Sequence, residues 1–230
     1  MEEVKENKKI TPEERRVRNN KYIKEMEIDC YDNLPLIESS SDVKLRDLDT
    51  ICKRAIACLL SIQLACDIRG QYNYEESKSF IEKMLKKFGV ENDLLEIEKR
   101  LFNNKYNQSD VLNVTWTYES YWSLIWALGL IDDEEIKIPN EICNCRKAIS
   151  FVIKCKNFEE FKIKTKIRNI EEILDMLDLY YRYHWACVEK TINPKTNIGM
   201  LNPDVVWERR KGLEWLISNI DDWNEISLDT

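Results

Sequence analysis

A chain of 230 residues with net charge −7 and pI near 5.1 is long enough for one domain with a sizeable core, and its acidity argues against general nucleic-acid binding. Hydrophobic residues at 43%, with seven Trp, ten Tyr and six Phe, argue against disorder. Five Gly and five Pro are too few for the turns of a β-sandwich or for a glycine-rich phosphate loop, which leaves long helices.

The opening MEEVKENKKI carries charges where a signal peptide needs an apolar run, and no uncharged apolar stretch of membrane-spanning length follows, so a cytoplasmic protein is expected. Thr11-Pro12-Glu13-Glu14 combines an N-cap hydroxyl, a first-turn proline and a capping-box glutamate, and predicts a helix to about Met26. Residues 28–45, with Pro35 and a serine run, read as irregular chain laid across the body, so 1–45 form an arm and 46–230 the body. From Leu48 to Arg69 apolar positions encircle the helix, which belongs at the centre. Gly70, Gly89 and Gly129 are placed to close helices. Residues 74–88 read as an amphipathic helix, 92–102 as a weaker one, and 110–128 as a single aromatic core helix. Shorter helices are expected at 145–153 and 158–167. Asn169 with Glu172 opens a helix to about Lys190, whose polar stripe is Asp175, Asp178, Arg182 and Glu189, with Asp178 and Arg182 spaced for an ion pair. Asn202-Pro203 starts the last helix, to about Ser218. The expected fold is therefore all-α: one compact domain of about eight helices with an N-terminal arm.

Arg209 falls in the middle of an apolar stripe made by Val205, Val206, Leu213, Leu216 and Ile217, so its charge needs a partner. Glu119, beside Trp122 and Trp126, is the natural counterpart. The pair reads first as a structural ion pair and second as part of a ligand pocket walled by Trp122, Trp126 and Tyr181. His184, the single histidine, sits among Tyr180, Tyr181 and Val188 and reads as a satisfied core residue, with a general-base or Cys-His role as the alternative. The eight cysteines read as reduced thiols. Cys143-Asn144-Cys145 with Cys155 lacks the second pair that structural zinc favours, so no metal or cofactor is expected. Residues 146–168 hold eight basic side chains against Glu159 and Glu160, a balance of 8 − 2 = +6, leaving −13 elsewhere. Such a segment either faces the protein's own acidic surface or meets an acidic partner.

The strings TPEERRVRNNKYIKEM, LPLIES, TWTYESYWSLIWALGLID, DLYYRYHWACVEK, LNPDVVWERRKGLEWLI and WNEISLDT resemble, in order and over almost the whole chain, the bacterial domain of unknown function 4272 family. The resemblance implies a compact helical domain with an N-terminal arm and no assigned activity. It marks Glu119, His184, Trp185, Glu208, Arg209 and Trp215 as family-pattern positions. It also implies a departure: relatives often carry histidine where Arg210 stands and alanine where Gly212 stands. The expected function is a non-enzymatic interaction module of immunity-like or regulatory type, recognising a protein through residues 146–168 or the acidic surface, without nucleic acid or membrane. The alternative is a small-molecule binder or enzyme whose candidate ligand residues are Glu119, Trp122, Trp126, Tyr181, His184, Glu208 and Arg209.

Overall fold

Helix starts are written into the chain as Asn, Asp and Thr side chains that accept from the first free backbone N–H groups. The computed structural model describes residues 9–230, and the first eight positions of the expected arm lie outside the described residues. Thr11 and Glu14 form the reciprocal capping box of α1 (Pro12–Glu25), with Glu14 N–H donating to Thr11 Oγ1 at 3.1 Å and Thr11 N–H to Glu14 Oε2 at 3.0 Å. Asp47 caps α2 (Leu48–Arg69) and Asn73 caps α3 (Tyr74–Phe88). The weaker helix contracts to α4 (Glu96–Phe102), and Asn107 opens α5 (Gln108–Trp116). Then come α6 (Tyr118–Ala127), α7 (Cys145–Ile153), α8 (Phe158–Lys162), α9 (Ile170–Ile192) and α10 (Pro203–Ile217). The described residues contain no strand.

Two expected helices are corrected. The segment 110–128 breaks at Thr117, whose hydroxyl bonds back to Val114 O at 2.6 Å. Its backbone N–H is shared between Asn113 O and Val114 O, a tightened turn that separates α5 from α6. The segment 158–167 is helical only to Lys162. Beyond it the chain is drawn to the end of α6, where Lys166 N–H and Arg168 N–H bond Leu128 O and Ala127 O at 2.9 and 2.8 Å. Gly129 permits this approach, since it adopts φ +68° and a Cβ there would meet Lys166 O at 2.5 Å. Gly70 closes α2 as expected, with φ −74°, and the positive φ falls on the following Gln71.

Helix α2 is the central element, packed against α3 through α8. A second layer runs from α6 to α10 to α9, and α1 lies on α9. The arm is anchored by Ile23, Ile28, Leu34 and Ile37, all buried. It covers the middle of the polar stripe of α9, at Asp178 and Arg182. Asp178 and Arg182 are consequently buried, with Asn19 Nδ2 donating to Asp178 Oδ2 at 2.8 Å and Arg182 NH1 to Asn20 Oδ1 at 3.0 Å. The expected ion pair forms, bidentate, at 2.7 and 2.9 Å. Helix α6 lies close against α10, where a Cβ on Gly212 would lie 2.6 Å from Ser120 O and 3.0 Å from Ser123 Cβ. Ser123 Oγ donates to Arg209 O at 2.9 Å across the same seam.

Candidate functional site

That seam sets the position of Arg209. Its Nε donates to Glu119 Oε2 at 2.8 Å, NH2 to Glu141 O at 3.1 Å, and NH1 to Ile136 O at 3.4 Å and the Tyr180 hydroxyl at 3.5 Å. The second carboxylate oxygen of Glu119 accepts the Cys143 backbone N–H at 2.7 Å. Burial works against the arginine charge, but Tyr180 and Glu119 more than offset it, so its pKa lies above the ordinary value. Both charges are thus compensated by groups of the fold itself. Glu208 faces outward from this centre, accepting from Ser120 Oγ at 2.9 Å and pairing with Lys211 at 2.8 Å.

A second centre lies between α9 and α10. Arg210 NH1 approaches His184 Nδ1 at 2.6 Å, and the same guanidinium bonds Glu214, Leu228 O and Asp229 O. Its carbon sits 4.8 Å from the Tyr181 ring centre, while Trp207 meets the imidazole edge-on at 4.9 Å. A guanidinium only donates, so Nδ1 must accept and the proton belongs on Nε2. Burial, with Arg210 adding to it, drives the His184 pKa down to about 4. A histidine whose lone pair is held this way is poorly disposed to act as a general base.

The remaining expected aromatics go elsewhere. Trp122 Nε1 donates to Glu135 O at 3.0 Å and Trp126 Nε1 to Asp133 Oδ1 at 2.8 Å. The structure therefore brings Glu119 to Arg209, but Tyr181 and His184 to Arg210, and Trp126 to a third place. There Trp126 lines a cleft of about 270 Å³ with Tyr22, Lys137, Glu172 and Asp175, the last ion-paired to Arg18, which also lines it. One buried pair was not anticipated: Arg54 and Glu98, at 2.5 Å, with Arg54 stacked 5.0 Å from the Trp223 ring. Its signal was available in the same form as that of Arg209, a charge inside a helix apolar on every side.

The basic segment is partly neutralised by the body. Lys147 pairs with Glu135 at 2.6 Å, Lys162 with Asp49 at 2.5 Å, and Arg168 with Asp133 at 3.2 Å. Arg146, Lys154 and Lys166 are exposed and, among the described residues, form no ion pair. In the same segment Ile142, Ile153 and Ile163 are 61%, 56% and 83% exposed. Arg146 and Ile153, two turns apart on α7, share one face. Phe161 turns inward and is buried, and Phe151 lies 6.4 Å from Trp122.

Among the described residues no helix is long and apolar enough to cross a membrane, and no group of three or more His, Cys, Asp or Glu is placed to hold a metal ion. No curated protein and no solved structure matches the chain. A family model described as a domain of unknown function, DUF4272, matches residues 15–226, so the chain, from the core of its first helix to its C-terminal turn, belongs to the DUF4272 family.

Proposed function

We propose that this protein is a non-enzymatic interaction module, immunity-like or regulatory in kind, acting in the bacterial cytoplasm and docking an acidic, partly apolar protein surface on residues 142–166. The observation that carries the reading is the combination of unpaired cations at Arg146, Lys154 and Lys166 with exposed Ile142, Ile153 and Ile163. Isolated exposed apolar residues are ordinary, but apolar side chains set among uncompensated charges of one sign suit a protein partner of opposite charge. Unpaired cysteines throughout the described chain agree with a reducing compartment.

The test separates the two halves of this surface. A charge-reversed variant, R146E/K154E/K166E, and an apolar-to-acid variant, I153D/I163D, are compared with the native chain in quantitative capture from native lysate. Stoichiometric capture by the native chain, lost in both variants while the unfolding midpoint is kept, supports the reading. Capture unaffected by either variant overturns it.

The second reading, a small-molecule binder, is favoured by the cleft around Trp126, where Lys137 lies 4.2 Å from the Tyr22 ring centre beside Asp175 and Glu172. An aromatic wall with converging charges of both signs suits a small zwitterion. A K137A substitution that abolishes binding of such a ligand while leaving partner capture intact favours this second reading.

A further inference from the structure

We propose that Cys143 and Cys145 form a peroxide-sensitive dithiol in which Cys145 is oxidised first and Cys143 closes a disulfide onto it. The two residues flank Asn144, the N-cap of α7, and Cys145 is the first residue of that helix. Cys145 is part-exposed and Cys143 is buried against the chain of α6, its thiol 3.9 Å from Tyr118 O. The Cys145 thiol in turn reaches Cys143 O at 3.6 Å, and the two thiols are also in hydrogen-bond contact with each other.

Their electrostatics divide the roles. The neighbouring Cys143 thiol stabilises a negative sulfur at Cys145 and, against burial and Glu119, brings its pKa down to about 7, while the same contact and burial push Cys143 far upward. The other cysteines with a displaced value are all raised by burial: part-exposed Cys30 and Cys66, and Cys52, Cys58 and Cys187, the last two up to about 12. The contact with Cys143 thus favours the thiolate at Cys145, and a thiolate that solvent can reach beside a second thiol is the arrangement that oxidants select.

The oxidant is hydrogen peroxide. The Cys145 thiolate attacks one peroxide oxygen, the O–O bond breaks, and hydroxide leaves and takes up the proton that Cys145 released. The product is a sulfenic acid at Cys145, its sulfur oxidised by two electrons. The Cys143 sulfur then attacks Cys145 Sγ, forming the S–S bond and breaking the S–O bond, and the departing hydroxide takes the Cys143 proton as water. Two thiols and one peroxide thus give one disulfide and two waters.

The bond would tighten a turn that also holds the core pair, since Cys143 N–H binds Glu119 and Glu141 O binds Arg209. Oxidation is expected to lower the unfolding midpoint, and reduction to restore it.

The experiment treats the native protein with a small molar excess of hydrogen peroxide, alkylates remaining thiols after denaturation, and maps the peptides by mass. The expected result is a Cys143–Cys145 peptide lighter by two hydrogens and closed to alkylation, with Cys30 and Cys66 still alkylated. C145S is expected to abolish both the disulfide and any dimedone-trapped sulfenic acid. C143S is expected to lose the disulfide but gain a dimedone adduct at Cys145. Oxidation of Cys30 or Cys66 ahead of Cys145, or a disulfide from Cys145 to any other cysteine, overturns the proposal. If either variant fails to fold, the map of the native protein decides alone.

Discussion

Arg209 Nε and Glu119 Oε2 meet at 2.8 Å although ninety residues separate them in the chain, and each is further bonded to backbone of the 136–143 loop. Removing one member strands the other. Arg209→Leu leaves a buried carboxylate with a single backbone donor, and the expected loss is about 3–5 kcal/mol. Urea unfolding measures it as a lower midpoint at constant slope. The double variant E119L/R209L is expected to recover most of that loss, because no charge is left unpaired. A single-variant loss below about 1 kcal/mol would contradict the structural role.

Gly212 tests the α6–α10 seam. Gly212→Ala places a methyl 2.6 Å from Ser120 O, against backbone that has little room to yield. Parting the two helices is expected to lower stability by about 1–3 kcal/mol. Because Ser123 Oγ bonds Arg209 O across this seam, amide exchange in the middle of α10 should also accelerate. An unchanged midpoint would show that the helices do not pack as closely as described.

The arm is tested at Asn20, which accepts from Arg182 NH1 at 3.0 Å and donates to Asp32 O at 3.0 Å. Asn20→Ala leaves one guanidinium nitrogen of a buried ion pair without its acceptor, for an expected loss of about 1–3 kcal/mol. Hydrogen exchange should rise in α1 before it rises in α2. Equal acceleration in both helices would mean that the arm does not open separately.

His184 carries the pH dependence. Its folded pKa, about 4, lies below the ordinary histidine value of 6.5, so the unfolded chain binds the proton more readily. Its contribution is therefore fully present above pH 6.5 and lost as pH falls toward 4, roughly 3 kcal/mol in all. Glu214, whose pKa burial raises, acts in the opposite sense. Nitrogen NMR of the single imidazole isolates the effect: a neutral ring protonated at Nε2 is expected down to about pH 5. Titration near 6.5 would mean that Arg210 does not hold Nδ1.

The sequence made Arg209 legible because one charge interrupted an apolar helical stripe, and Glu119 because it lay beside an aromatic face. Capping residues located three helix starts, at Thr11, Asn169 and Asn202, for the same local reason. The break at Thr117 escaped because a hydroxyl bonding back to its own helix leaves the 3.6-residue spacing almost undisturbed. Asp178 and Arg182 were legible as a pair but not as a buried one. Their i,i+4 spacing is identical on a solvated face and on a face that the arm covers, and only tertiary packing separates these. His184 was legible as buried, whereas its partner Arg210, on a helix 26 residues away, was not.

We propose that the buried charges maintain the fold while recognition lies on the outer basic and apolar face. Partner capture by folded protein, measured side by side for R209L and R146E/K154E/K166E, tests it most directly. R209L is expected to unfold at a lower midpoint yet capture the partner while folded, and the charge-reversed variant to keep its midpoint and lose capture. Loss of capture in folded R209L, with capture kept by the charge-reversed variant, would contradict it.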